Sequence, residues 1–143
     1  MVTEGETGGM LVGYVQEAEG SVEYEITHAT PPGRDSRLAS RRFTRGADFA
    51  KHRLDYLASK FGVRYLGEWH KHPAPDTPRA SNTDRATMRA IARKPTYDIQ
   101  LPVLVIANED GRKLTLYASD RRRVVLICER DLMAGADPPA SLE

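Results

Sequence analysis

Two histidines separated by one residue stand out in the stretch from Gly67 to Asp84, GEWHKHPAPDTPRASNTD. On a β-strand, residues two apart project to the same face, so His70 and His72 could share a metal ion through their imidazole nitrogens. A catalytic zinc ion takes three protein ligands and keeps one position open. Asp84 is the natural third ligand, because it falls in the first turn of a helix predicted after the proline-rich loop.

Each half of this stretch also has an ordinary structural explanation. Ser81 and Asp84 have the spacing of a helix capping box, and a His-x-His pair on a strand can be merely solvated or hydrogen-bonded. The combination favours a metal site. It consists of a strand that ends in two histidines, a loop that reverses the chain, and a helix whose first turn carries a carboxylate. The two interpretations are compatible, since Ser81 can cap the helix while Asp84 faces the ion.

Hydrolysis at such a site also requires a carboxylate that takes a proton from water and passes it to the leaving amine. Glu68 has the strand parity of the two histidines and is the acid closest to them in sequence. Other glutamates lie upstream, at Glu4, Glu6, Glu17, Glu19, Glu23 and Glu25. The pattern of residues alone does not choose among these acids.

The elements that must position these residues follow from hydrophobic periodicity and from turn and cap signals. The predicted strands are 10–18, 21–27, 63–72, 101–107, 113–118 and 123–128, and the predicted helices are 47–61 and 81–94. The first two strands are expected to form a hairpin around Gly20. This order predicts an α/β (α+β) fold, with a mixed, mostly antiparallel sheet flanked by two or more helices.

The bulk composition is that of an ordinary globular domain. The 143 residues are expected to form a single domain over residues 1–133, with a disordered tail over 134–143. A net charge of +1 gives no field that favours nucleic acid or anionic lipid. No apolar run approaches the length of a membrane span, the acidic, glycine-rich start differs from a signal peptide, and the lone Cys128 fits a reducing interior. We therefore expect a cytoplasmic protein.

Several other polar residues are expected to have no catalytic role. His28 at a strand end and His52 in a helix are predicted to be ordinary polar positions. The arginines of 121–123 are predicted to be solvated in a turn, and Cys128 is predicted to be a buried apolar residue rather than a nucleophile.

Two separated segments resemble the JAB/MPN-domain metalloproteases, whose JAMM motif is a glutamate followed by His-x-His-Pro and Ser-x-x-Asp. GEWHKHP, followed by the residues SNTD, resembles the second part of that motif. The segment Glu6–Gly13, ETGGMLVG, resembles the first strand of the bacterial members. The resemblance extends from Glu6 to about Cys128.

This resemblance implies an MPN/JAB-like fold of cytidine-deaminase-like architecture and a zinc-dependent hydrolase. It implies zinc bound by His70, His72 and Asp84, with Glu6 rather than Glu68 as the acid/base and Ser81 stabilising the oxyanion. The family hydrolyses isopeptide or peptide bonds at the C-terminus of ubiquitin and ubiquitin-like proteins. The implied substrate is a ubiquitin-like protein or its conjugate. Bacterial members often accompany E1/E2-like conjugation proteins, including those of antiphage nucleotidyltransferase systems.

The sequence also departs from the family pattern. Lys71 stands between the histidines, where serine or threonine is usual, and eight residues separate His72 from Ser81, one more than the family usually has. Five residues precede Glu6, fewer than in family members, so a partner is one expectation for covering that surface. Two alternatives remain: an MPN-type binding scaffold of weak or no activity, and a DNA-repair-associated JAB-like protein, against which the near-zero net charge argues.

Overall fold

The computed structural model describes residues 7–30 and 47–132. The predicted acid Glu6 and the predicted tail 134–143 lie outside these ranges. The described part contains six strands, two α-helices and one short 3-10 helix. In chain order these are β1 (Thr7–Ala18), β2 (Ser21–Ala29), α1 (Ala47–Phe61), β3 (Arg64–Lys71), α2 (Asn82–Arg93), the 3-10 helix (Pro95–Tyr97), β4 (Val103–Ala107), β5 (Lys113–Ser119) and β6 (Val124–Asp131).

All six strands join one sheet in the order β2-β1-β3-β4-β5-β6. Only β3 and β4 pair in parallel, because α2 carries the chain back between them. The other four pairings are antiparallel. This arrangement confirms the predicted fold class, a mixed and mostly antiparallel sheet with helices. Neither described helix is long and apolar enough to cross a membrane.

The predicted elements are all present, and the main differences lie at strand ends. Helix α1 has the predicted bounds, and α2 begins after Ser81 as its capping signal indicates. Strand β1 begins at Thr7, three residues earlier than predicted, because Thr7–Gly9 pair with β3. Two glycines in that segment carry no side-chain periodicity, so the sequence pattern does not reveal the pairing.

The main core lies between α2 and one face of the sheet. Met88 and Ile91 on α2 are fully buried with Leu104, Ile106 and Tyr117 from the sheet. Burying an aliphatic side chain of this size contributes about 1.5–3 kcal/mol. Helix α2 is therefore held against the sheet along its length, and this contact sets where its first turn lies relative to β3.

Gly67 is required by the close approach of β3 and β4. It is paired with Val103 at the start of the parallel ladder, and a Cβ built on it would lie 1.8 Å from the Val103 carbonyl oxygen. The obstacle is backbone, which cannot rotate away as a side chain can. Gly67, the first residue of the GEWH segment, is thus required for strand packing and has no chemical role.

We expect Gly67→Ala to lower the free energy of unfolding by about 3 kcal/mol or more, because the added methyl group forces β3 and β4 apart. Gly62→Ala is the matched control: it has open space but a positive φ of 73°, and should cost about 1 kcal/mol. Urea denaturation of both variants measures the difference. Equal losses would contradict the close-approach argument.

Candidate metal centre

The two histidines lie where β3 ends. His70 is paired with Gly8 on β1 and Ile106 on β4. His72 follows the last residue of β3, and its backbone N–H still donates to the Ala107 carbonyl at 2.9 Å. The extended geometry therefore continues through His72, and strand alternation brings both imidazoles to one face.

Three contacts anchor the loop that follows His72. The Asn108 side-chain amide donates to the Pro75 carbonyl at 2.8 Å, and the Glu109 N–H donates to the Ala74 carbonyl at 2.9 Å. At the far end of the loop, the Ala80 N–H donates to the Tyr117 hydroxyl at 3.0 Å. Sequence reasoning missed Asn108, whose only signal was its place between the predicted strands 101–107 and 113–118. These contacts hold both ends of the loop between His72 and Ser81.

A capping box opens α2. The Asp84 backbone N–H donates to Ser81 Oγ at 3.0 Å, and the Ser81 N–H donates to Asp84 Oδ2 at 2.9 Å. Both interactions satisfy backbone donors that a helix N-terminus would otherwise leave unpaired. The cap also fixes the Asp84 side chain in one orientation, with its carboxylate turned toward β3.

His70, His72 and Asp84 converge into one compact cluster. His70 Nδ1 lies 3.0 Å from Asp84 Oδ1, and His72 Nε2 lies 3.4 Å from Asp84 Oδ2. One nitrogen or oxygen atom from each of the three residues lies within 4.8 Å of the others. The His70 and Asp84 side chains are only 8% and 6% exposed, and that of His72 is 17% exposed. The structure thus brings together the three residues predicted as ligands.

The pKa of Asp84 is held well below its ordinary value. Burial alone would raise it, but hydrogen bonds from His70 and His72, the charge of His70 and the Ser81 backbone N–H together outweigh that effect. The carboxylate is therefore ionised at neutral pH. It faces two imidazoles as a negatively charged oxygen donor.

The donor set and its spacing fit a tetrahedral metal ion. Two ligand atoms at ~2.0–2.1 Å from a tetrahedral zinc are about 3.3 Å apart. His70 Nδ1 and His72 Nε2 lie 3.0 and 3.4 Å from the two different oxygens of Asp84, and one ligand atom from each of the three residues lies within 4.8 Å of the others. Two imidazoles and one carboxylate are ligands of the kind used by catalytic zinc sites, which keep a fourth position open. The cluster can hold such an ion.

The other two predicted catalytic residues have different outcomes. Glu6 lies outside the described residues, which begin at its neighbour Thr7. Ser81 is exposed at the rim of the cluster, and its Oγ accepts the Asp84 N–H. Glu68, the other acid considered, is buried and accepts a 2.6 Å hydrogen bond from the Tyr65 hydroxyl. Among the described residues, the metal-ligating cluster contains His70, His72 and Asp84 without Glu68.

A bulge in β3 explains the contact between Glu68 and Tyr65. Val12 is paired with Tyr65 and Leu11 with Gly67, so Leu66 has no partner on β1. Such an extra residue alters the side-chain alternation of a strand. It allows Tyr65, three residues before Glu68, to reach that carboxylate. Sequence parity alone could not anticipate the bulge.

A hydrogen-bonded contact on the opposite side of β3 locks the start of β1 in place. The Met10 N–H donates to Thr30 Oγ1 at 2.9 Å, and the Thr30 N–H donates to the Met10 carbonyl at 2.8 Å. Trp69 Nε1 donates to the Thr30 carbonyl at 2.9 Å. A Cβ on Gly9 would lie 2.4 Å from that same carbonyl oxygen. This Thr30 lock holds the first residues of β1 in register with the histidine strand.

The remaining polar candidates lie outside the cluster. His28 contacts Thr27 Oγ1 at 2.8 Å and stacks against Phe61, and His52 is exposed on α1. The carboxylate of Asp120 accepts backbone N–H groups of the exposed arginine turn. Cys128 is half-buried rather than buried as expected, because it lies on β6 at the edge of the sheet.

Comparison with known proteins agrees with this geometry. The family described as prokaryotic homologs of the JAB domain matches residues 3–123. The chain belongs to the prokaryotic JAB family. The family resemblance carried by the motifs is therefore confirmed, and the observed sheet and helices are those of a JAB domain.

Two curated relatives of this JAB chain are known. The CD-NTase/cGAS isopeptidase of Enterobacter hormaechei subsp. hoffmannii (strain UCI 50) is 35% identical over 105 residues, covering 73% of this chain and 56% of the relative. The probable metalloprotease y4qB of Sinorhizobium fredii (strain NBRC 101917 / NGR234) is 30% identical over 103 residues, covering 71% of this chain and 61% of the relative. The matched region spans less than two thirds of each relative.

We expect the purified protein to hold about one equivalent of metal per chain, and His72→Ala and Asp84→Ala to lose it, because each removes one of three ligands. His28→Ala and His52→Ala are the matched controls, since both histidines lie outside the cluster, and they should keep the metal. Elemental analysis after gel filtration measures the content. Full metal content in Asp84→Ala would contradict this assignment of ligands.

We expect Thr30→Val to lower the free energy of unfolding by about 2 kcal/mol, because the buried Met10 N–H loses its acceptor. Thr27→Val is the matched control: its hydroxyl donates to the Val12 carbonyl over a longer 3.4 Å and contacts His28 Nδ1 at 2.8 Å. Thr27 is exposed, so water can replace both contacts and the cost should stay within about 0.5 kcal/mol. Urea denaturation distinguishes them. Equal stability of the two variants would show that the Thr30 lock is not a stabilising contact.

Proposed function

We propose that this protein is a zinc-dependent isopeptidase or peptidase that cleaves at the C-terminus of a ubiquitin-like modifier. The observation that carries the proposal is the buried cluster of His70, His72 and Asp84 beside the exposed Ser81. The cluster supplies three ligands, and the exposed rim gives an extended substrate access to it. Membership in the prokaryotic JAB family, together with relatives named as an isopeptidase and a probable metalloprotease, supports a metal-dependent hydrolase.

Zinc is the metal we propose, on the chemistry of the three donors. Imidazole and carboxylate donors in a three-ligand set suit zinc, whereas magnesium and calcium sites are built mainly from oxygen. When bound, zinc supplies Lewis acidity that polarises a carbonyl and lowers the pKa of a water molecule. The chain's own residues must then orient the substrate and move the protons.

Asp84 has a positioning task in addition to its proposed role as a ligand. Its two carboxylate oxygens face different histidines, and Oδ2 also accepts the Ser81 N–H. The Ser81 N–H therefore holds the carboxylate in an orientation that faces both imidazoles. His70 Nδ1 is within hydrogen-bond distance of Asp84 Oδ1 at 3.0 Å, and His72 Nε2 lies 3.4 Å from Oδ2.

Glu6 is the acid/base in this proposal. It is covalently attached to Thr7, which pairs with Lys71, the residue between the two histidines. The Glu6 carboxylate would take a proton from the attacking water and deliver it to the leaving amine. Glu68 is unsuited to this task, because it is buried against Tyr65.

Ser81 is proposed to stabilise the developing oxyanion. Its Oγ already accepts the Asp84 N–H, so the hydroxyl hydrogen is available to donate elsewhere. The residue is exposed beside the three ligands, where a substrate carbonyl can approach. A hydrogen bond that strengthens as negative charge develops lowers the barrier to reaction.

The substrate class is the most specific part of the proposal. The relative named CD-NTase/cGAS isopeptidase supports an isopeptide conjugate as the substrate. On the family resemblance alone, we also propose an antiphage system that contains E1/E2-like conjugation proteins. An isopeptide bond joins a modifier's C-terminal carboxyl group to a lysine amine. Its cleavage therefore requires the amine protonation assigned to Glu6.

The test is cleavage of a ubiquitin-like modifier conjugate by wild type and by Glu6→Gln, with Glu4→Gln as a matched control exchange two residues upstream. Glu6→Gln preserves size but removes the base, so kcat should fall by about 10²–10⁴-fold. Metal content should be unchanged, and Glu4→Gln should cleave as wild type does. Time courses on gels measure kcat.

Two outcomes would overturn the proposal. Cleavage by a metal-free His72→Ala variant would separate the activity from the cluster. Tight binding of the conjugate without turnover by the metal-loaded wild type would favour a scaffold instead.

A further inference from the structure

Strand β6 forms one edge of the sheet and carries a continuous exposed apolar segment. It pairs with β5 on one side and has no neighbouring strand on the other among the described residues. Val125, Leu126 and Ile127 are 45%, 38% and 55% exposed. Consecutive aliphatic residues on an open edge are unusual, because natural proteins ordinarily protect such edges against pairing. This exposed edge is therefore a candidate site for pairing with another β-strand.

Charged residues of opposite sign flank the apolar segment. Arg121, Arg122 and Arg123 precede β6, while Glu129 and Asp131 end it with Arg130 between them. The amino end is positive even with Asp120 counted, and the carboxyl end is negative. The Glu129 pair with Arg79, at 2.7 Å, is solvent-exposed. Exposed pairs of this kind contribute little, so Glu129 can accept a second arginine.

We propose that β6 is a self-association edge that pairs antiparallel with β6 of a second copy of this chain. Antiparallel pairing about Leu126 sets Val125 against Ile127, and a twofold axis repeats each contact. The same register sets Arg123 against Glu129 and Arg121 against Asp131, with Arg122 opposite Arg130 as the one like-charged contact. Parallel pairing would instead set every charge against its own kind. The strand is therefore mostly complementary to itself in the antiparallel orientation, as an isologous interface requires.

The other sheet edge fits β6 less well. Strand β2 also exposes apolar residues, Val22 and Ile26, but Glu23 and Glu25 alternate with them. Pairing β2 with β6 would set carboxylates beside the apolar centre of β6. It would also be a head-to-tail contact, which propagates into open chains unless it closes into a ring.

A bulge in β6 sets the expected strength of the contact. Tyr117 is paired with Leu126 and Leu116 with Cys128, so Ile127 has no partner on β5. A bulge bends an edge strand and interrupts regular pairing. The interface is also small compared with stable protein dimers. The association is therefore weak, in the range of about 10–100 µM.

Analytical ultracentrifugation of the full chain over about 5–300 µM tests the inference. The mass of wild type should rise from 15.9 kDa toward twice that value and no further. Ile127→Lys should remain a monomer throughout, because the lysine interrupts the apolar centre. Val22→Lys, the matched exchange on the opposite edge, should associate as wild type does. Both positions are exposed, and thermal unfolding confirms that both variants are folded.

A charge exchange tests the orientation of the two strands. Arg123→Glu should weaken association by about tenfold, and adding Glu129→Arg should restore most of it, because the pair is rebuilt across the twofold axis. A wild type that stays at 15.9 kDa over the whole range overturns the proposal. So does loss of association in Val22→Lys, a mass above the dimer, or failure of the double exchange to restore association. None of these results depends on zinc or on cleavage.

Discussion

The carboxylate of Asp84 is the contact on which the site depends. One oxygen faces His70, and the other faces both His72 and the Ser81 N–H. Helix capping and histidine contact therefore come from the same group. A buried carboxylate is costly unless several donors surround it, and here the backbone and two imidazoles share that task. The same carboxylate orientation therefore stabilises the first turn of α2 and presents Asp84 to a metal ion.

The sheet supplies the rigid side of this arrangement. The parallel pairing of β3 and β4 continues through His72, whose N–H is bound by Ala107. Burial of Met88 and Ile91 presses α2 onto the same sheet. Ligands from a strand end and a helix start are thus fixed by elements with little freedom to move, which is what a catalytic metal site requires. The loop between them is held by separate hydrogen bonds at each of its ends.

Contacts at the start of β1 hold this strand in register with β3, the strand that carries the histidines. Thr30, Trp69 and Gly9 form their lock on the face of β3 opposite the histidines, yet they hold the strand to which Glu6 is attached. Gly9 of the ETGG segment has a steric role, because a side chain there would meet the Thr30 carbonyl. The same sequence segment thus contains both a proposed catalytic acid and a glycine that the backbone packing of β1 requires.

Local signals in the sequence predicted the helices, the order of the strands along the chain and the three residues that cluster at the end of β3. Ser81 and Asp84 predicted the start of α2 because a cap depends on residues only three apart, and the histidine spacing predicted a shared face because strand alternation is local. The tertiary structure alone decided the bulge at Leu66, the burial of Glu68 against Tyr65, the Thr30 lock and the exposure of β6. Each of these depends on which strands become neighbours, and such long-range pairing leaves no periodic trace in the residues themselves.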